Sequence, residues 1–416
     1  MKVLIVGKGG REHALSKIVK KSSLVTEVFI APGNIGMKDI GTLVNVHEED
    51  ILNLVNFAEE NKIDLTIVGP ESSLSLGIVN EFEKRGLKIF GPTKESAMIE
   101  TSKEYAKYIM GKYNIPTGKY RSFTEKEEAI KYLENQLLPI VIKEDGLKAG
   151  KGVTVAFSVE EAKEAVKKAF EIHENKIIIE EYLDGFEFSI IAIANENKII
   201  PLEIAQDHKR IYDGDLGPNT GGMGVYSPVE KITKEVIDET VNKIMKPMLD
   251  GLIKEGTPFK GFLFGGIMLT KEGVKTIEFN ARFGDPEAQG ILPRLKSDFV
   301  KVILDILDKK ETKLIWDKRK SLAVVMASSG YPDKYSIGEV VNIDGNIDGE
   351  LYFMGVKEEN KNIVTNGGRV LSLVCFGDTL EKAREKTYEE IKKINFKKMF
   401  FRNDIGLKMC YNSKNK

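Results

Sequence analysis

Ile277-Glu278-Phe279-Asn280-Ala281-Arg282-Phe283-Gly284-Asp285-Pro286-Glu287 is the stretch on which the fold class turns. On a strand, alternate side chains share a face, so Glu278 and Asn280 point the same way, and two oxygen donors there suit a divalent cation shared with phosphate oxygens. Arg282 continues the alternation, placed to neutralise charge that builds on a transferring phosphoryl or acyl group. Glu-x-Asn alone would read as a structural strand with exposed polar residues. The attached Arg-Phe-Gly-Asp-Pro-Glu run turns the reading towards a site.

Working outward, residues 261–269 and 274–280 read as paired strands at the end of a mixed α/β block, which also holds the Gly-rich loop 219–224. Further upstream, 139–143 and 153–157 read as strands joined by Glu144-Asp145-Gly146-Leu147-Lys148-Ala149-Gly150-Lys151-Gly152. This loop departs from a Walker A motif: three residues separate Gly146 from Gly150, Gly152 stands where Ser or Thr should be, and a strand follows in place of a helix. A Gly-rich hairpin folding over a polyphosphate fits better, its amides meeting the oxygens while Lys143 adds a point charge; a merely mobile hairpin is the alternative. A helix over 159–174 leads to the apolar strand 176–180 and then Glu181-Tyr182-Leu183, whose backbone can meet a purine edge, with Glu187 placed to accept from ribose hydroxyls.

Towards the N-terminus, short apolar runs at 3–6, 28–30, 65–68 and 87–90 alternate with helical patterns, which predicts a doubly wound parallel sheet. Gly7-Lys8-Gly9-Gly10 opens a helix after the first strand; it reads as an anion-binding turn, a tight structural turn or, with incomplete spacing, a dinucleotide loop. Helical residues 102–113 lead out of this region. Beyond residue 321, strands at 322–326, 351–353 and 369–375 and a helix over 380–394 predict a β-rich unit. The expected division is 1–101, a central domain of 102–119 with 190–320, a lid of 120–189, and 321–416.

In this 416-residue chain, 62 Lys and Arg nearly cancel 63 Asp and Glu. No chain-wide field draws nucleic acid or a membrane surface, so anionic ligands must be held locally. Two cysteines, Cys375 and Cys410, make no disulfide framework, and no apolar run reaches spanning length. A cytoplasmic protein, monomeric or weakly homo-oligomeric, is expected.

Strand lysine, Gly-rich hairpin, hinge and terminal Glu-x-Asn, in that order, resemble the ATP-grasp superfamily. Gly9-Gly10-Arg11-Glu12-His13-Ala14, Ala31-Pro32-Gly33-Asn34, Gly69-Pro70-Glu71, Gln206-Asp207-His208-Lys209-Arg210, Gly217-Pro218-Asn219-Thr220-Gly221-Gly222-Met223-Gly224, Phe283-Gly284-Asp285-Pro286-Glu287 and Asn366-Gly367-Gly368-Arg369-Val370 are similar to the glycinamide ribonucleotide synthetases. Lys148, Phe186 and Ala288 depart from that family's usual residues. The resemblance implies an α/β ATP-grasp fold with an N-terminal doubly wound domain, a small ATP lid and a C-terminal β-rich domain. It implies an ADP-forming ligase of purine biosynthesis that joins glycine to 5-phosphoribosylamine through glycyl phosphate, the alternative being another purine-pathway ATP-grasp ligase or carboxylase. Carried over onto this chain, it implies Lys103, Lys143, Gly146, Gly150, Lys151, Gly152, Glu180, Tyr182, Leu183 and Glu187 for ATP, and Glu278 and Asn280 for Mg²⁺ or Mn²⁺. Arg282 would meet the acyl phosphate, Gly9, Gly10 and Arg11 the sugar phosphate, and Asp207 with Thr220, Gly221 and Gly222 the glycine.

Overall fold

The computed structural model describes residues 1–147, 152–171 and 176–414. Its N-terminal sheet is parallel throughout, in the order Thr42–Leu43, Glu27–Pro32, Lys2–Gly7, Leu65–Val68, Ile89–Phe90. The first strand is apolar on both faces, with Val3, Leu4, Ile5 and Val6 fully buried, as a parallel strand covered by helices on both sides must be. Strand order reverses beside Lys2–Gly7, and ligand crevices form outside the carboxyl ends of such strands. The short edge strand Thr42–Leu43 was not expected; two residues carry no periodic signal.

A second, antiparallel sheet orders its strands Tyr120–Phe123, Ile177–Glu181, Ile140–Glu144 and Val153–Ala156. Helices Lys126–Leu133 and Val159–Glu171 cover it, and its core of Phe123, Leu133, Ile140, Ile142, Val166 and Ile177 is separate from the rest. The sheet ends at Glu181. Phe186–Asn195, inside the expected lid as far as residue 189, instead begins the central sheet, in the order Lys198–Pro201, Phe186–Asn195, Lys260–Thr270, Gly273–Asn280. Between the last two strands the register shifts: Gly266 faces Glu278, but Ile267 faces Thr276, which leaves Ile277 as the extra residue of a bulge.

The expected boundary at 320/321 does not divide the sheets. Gln206–Asp207 and Gly224–Ser227 join Lys320–Ala327, Arg369–Gly377 and Glu350–Phe353 in one five-stranded sheet, with helix Leu380–Ile391 packed on it. The C-terminal unit also closes on the first domain: His13 Nδ1 accepts from Phe353 N at 3.0 Å, and Asn34 Nδ2 donates to Phe353 O at 3.1 Å. Among the described residues no helix is long and apolar enough to cross a membrane.

Candidate active site

A cavity of about 1250 Å³ opens between the lid, the central sheet and the C-terminal unit. Pockets for one small ligand run to about 300–1,000 Å³, so this one has room for more than one.

Lysines line the lid side. Lys143, near the end of Ile140–Glu144, lies 2.6 Å from Glu180 Oε2 and donates to Ile277 O at 2.9 Å. That carbonyl belongs to the bulge residue, so the local break in register supplies the acceptor. Lys107, on helix Lys103–Lys112, pairs with the other Glu180 oxygen and donates to Thr117 Oγ1 at 2.7 Å. Burial pulls Lys107 down to about 8, against the pull of Glu180. Lys103 opens the same helix, its Nζ donating to Gly146 O at 2.7 Å, while Asp145 Oδ1 accepts from Lys103 N at 2.6 Å. The start of the hairpin is thus tied to a helix N-terminus, where a carboxylate is favoured. Gly146 has φ +85°, a conformation that suits glycine.

Across the cavity, Lys209 Nζ lies 2.6 Å from Glu187 Oε1 and 3.2 Å from Glu278 Oε1. Lys209 holds Glu278 down at about 2; burial opposes it, and Lys143 and Lys103 assist. Next to Glu278 a chain of charges runs back to the first domain. Arg282 Nη2 lies 2.9 Å from Glu100 Oε1, Arg282 Nε 3.2 Å from Glu71 Oε2, and Arg11 Nη1 3.5 Å from the same Glu71 oxygen. Burial pushes Glu100 up to about 7 against the pull of Arg282, yet Ala281 N also donates to it at 2.7 Å, so both neighbours treat it as an acceptor. Glu71 goes the other way, to about 2: burial opposes, but Arg282 and Arg11 outweigh it.

The third wall is the loop Thr220-Gly221-Gly222. Thr220 Oγ1 donates to Lys209 O at 2.9 Å and accepts from Gly222 N at 3.0 Å, while Gly221 N donates to Tyr331 Oη at 3.0 Å. Arg369 Nη1 donates to Gly221 O at 2.6 Å and to Asp285 O at 2.7 Å, clamping this loop to the one after Gly273–Asn280. Gly222 has φ +108°, and a Cβ there would stand 2.4 Å from Pro286 Cδ and 2.7 Å from Asp207 Oδ1. Burial, then Glu287, raises Asp207 above the ordinary range. The donor set beside Glu278 fits a hard divalent cation carried with polyphosphate: an ionised carboxylate and an amide oxygen, faced by lysines that suit phosphate.

Profiles of one family match three successive parts of the chain: Phosphoribosylglycinamide synthetase N domain over residues 1–100, ATP-grasp (A) domain over 101–288 and C domain over 321–408. The chain belongs to the phosphoribosylglycinamide synthetase family. Phosphoribosylamine–glycine ligase of Lactococcus lactis is 48% identical over 410 residues, covering 98% of this chain and 99% of the relative. The Streptococcus pneumoniae ligase is 48% identical over 421 residues, with the same coverage. A crystal structure of the Thermotoga maritima ligase matches with a TM-score of 0.85 at 34% identity, over 97% of this chain and 100% of that one. The biotin carboxylase domain of a Hydrogenobacter thermophilus carboxylase matches at 0.72 with 14% identity, over 96% and 91%, a likeness of fold alone.

In this family member, Lys103, Lys143, Gly146, Gly152, Tyr182, Leu183, Glu187, Asp207, Thr220, Gly221, Glu278, Asn280, Arg282 and Arg11 all border the one cavity. Gly150 and Lys151 lie outside the described residues. Gly9 N donates to Glu12 Oε2 at 2.6 Å, and Gly7 and Gly69 leave the space that Glu12 fills, so the loop cradles the chain's own carboxylate. A Cβ at Gly10 would collide with Gln289 and Met354, so the helix start packs closely there. Glu180, expected at the nucleoside, borders the cavity as well; its carboxylate is gripped by Lys107 and Lys143, and its backbone is paired to strands on both sides. Lys107, Lys209, Glu71, Glu100 and Tyr331 were not anticipated as site residues. Lys209 and Glu71 stand inside quoted motifs; the others carry no local signal.

Proposed function

We propose that this chain is an ADP-forming phosphoribosylamine–glycine ligase of purine biosynthesis, acting in the cytoplasm with both cysteines as free thiols. The observation that carries the proposal is the pairing of an ionised Glu278 with Lys103, Lys143 and Lys209 around one cavity, in a chain that matches such ligases along almost its whole length. Lys103, Lys143 and the amides of Gly146 and Gly152 hold the triphosphate, and Tyr182, Leu183 and Glu187 hold the nucleoside. Mg²⁺ or Mn²⁺ on Glu278 and Asn280 supplies charge neutralisation at the phosphate oxygens. Asp207 and the loop Thr220-Gly221-Gly222 take glycine, and Arg11 takes the sugar phosphate.

A carboxylate oxygen of glycine attacks the γ-phosphorus, and ADP leaves with the bridging oxygen. The amine of phosphoribosylamine then attacks the acyl carbon, the amide forms, phosphate departs and the amine loses one proton. Arg282 stands where negative charge grows, and the cavity walls contribute orientation. ADP release is measured with glycine, phosphoribosylamine or the divalent cation omitted in turn. Turnover is expected with all present; ADP release that ignores the amine, or that needs bicarbonate or formate in place of glycine, contradicts the proposal.

A further inference from the structure

Glu100 is assigned nothing in the reaction above, yet its carboxylate touches three consecutive residues, the last of strand Gly273–Asn280 and the two that follow it. It sits on the helical turn Met98–Thr101, buried between the first domain and the central sheet. Ala281 N donates to Oε2 at 2.7 Å, and Arg282 Nη2 lies 2.9 Å from Oε1. Asn280 is the third. The orientation that satisfies its amide places the nitrogen 3.2 Å from Glu100 Oε1 and 3.2 Å from Phe279 O. Turned over, the amide oxygen would face two acceptors. A carboxylate and a carbonyl therefore claim the nitrogen end, and the oxygen end is left for a cation.

We propose that Glu100 is a positioning residue: by holding Asn280 Nδ2 it presents Asn280 Oδ1 to the divalent cation beside Glu278, and it steadies Arg282 with the same carboxylate. The inference rests on the reading of Glu278 and Asn280 as the cation site. Glu71 is a natural comparison, because it also holds Arg282, at 3.2 Å, but makes no contact of its own with Asn280 among those the structure gives the described residues. Partners that orient a metal ligand typically change metal affinity by about 10- to 100-fold when removed.

The test is Mn²⁺ binding to the full chain in the presence of ADP, followed by the paramagnetic resonance of free Mn²⁺. Glu100→Gln is expected to weaken binding by about 10- to 100-fold, Glu71→Gln, which also takes a charge from Arg282 but leaves Asn280 held, to weaken it far less, and Glu278→Gln to remove most of it. On an Asn280→Asp background both ends of the side chain are oxygen, so Glu100→Gln should cause no further loss. Wild-type affinity in Glu100→Gln beside weak binding in Glu278→Gln would overturn the positioning role alone. Wild-type affinity in both would overturn the cation site beneath it. If circular dichroism shows Glu100→Gln unfolded, Glu100→Asp takes its place, since it keeps the charge but withdraws it from Asn280 by one methylene. The same weakening is expected there, and wild-type affinity would again refute the proposal.

Discussion

Glu278 owes its low pKa to company more than to exposure: Lys209 at 3.2 Å, with Lys143 and Lys103 behind it, keeps it ionised down to about 2 against an ordinary value of 4.5. Folding therefore gains from its charge above pH 4.5 and loses that gain as pH falls through about 2. Without ligands, Glu278→Gln should melt below wild type at pH 7, and thermal melts should show the gap closing between pH 4.5 and 2. A gap independent of pH would mean that Lys209 and Glu278 are not coupled. At saturating Mg²⁺ the same variant should keep its fold and lose most turnover, because an amide lacks the charge that holds the cation. Glu278 and Asn280 were legible because strand alternation needs only neighbouring residues, and the bulge at Ile277 falls before both. Lys209 meets Glu278 across 69 positions and Arg282 meets Glu100 across the domain junction, where no periodicity reaches. The glycines at 7 and 9 read ambiguously for a related reason. Space for a backbone anion site and space for a buried carboxylate leave the same mark in sequence.

At the level of loops, two glycines with positive φ, Gly146 on the cavity wall and Gly222 in the Thr220 loop, make different demands. Gly146 has open space where a Cβ would go, so Gly146→Ala should cost only the backbone strain, about 1–2 kcal/mol. Gly222 has the strain and a collision with Pro286 and Asp207 as well. Gly222→Ala should thus raise KM for glycine far more than KM for ATP, whereas Gly146→Ala should do the reverse; steady-state kinetics with each substrate varied would separate them. Equal effects of Gly222→Ala on both substrates would dissolve the assignment of the Thr220 loop to glycine. The hairpin, the hinge strand and the paired strands near the Glu-x-Asn were all readable from apolar runs bounded by turn residues. The short strand Gln206–Asp207 was less so, since two polar residues pair with Gly224–Ser227 only because the surrounding sheet offers an edge.

Across the whole molecule, the sheet shared by residues on both sides of 320 makes the C-terminal unit a structural part of the site. Gly224–Ser227 pairs with Lys320–Ala327, and Arg369 reaches back to Gly221 and Asp285. A chain ending at residue 320 would expose that edge together with the apolar residues packed behind it. It should be recovered mainly as aggregate, with size-exclusion chromatography showing little monomer; a folded, monomeric product would mean that the units are independent. Low-resolution organisation was readable because each domain has its own rhythm of strands and turns, but the strand that crosses between sheets was not, for its pairing is set by three-dimensional neighbours. The central claim concerns where activation occurs. With no covalent acyl carrier in the proposed chemistry, the carboxylate of glycine must itself be phosphorylated, and one of its oxygens must leave with phosphate. Glycine labelled with ¹⁸O in its carboxylate, turned over with ATP and phosphoribosylamine and analysed by mass spectrometry, should give singly labelled inorganic phosphate and unlabelled ADP; label in AMP, or phosphate without label, would contradict the account.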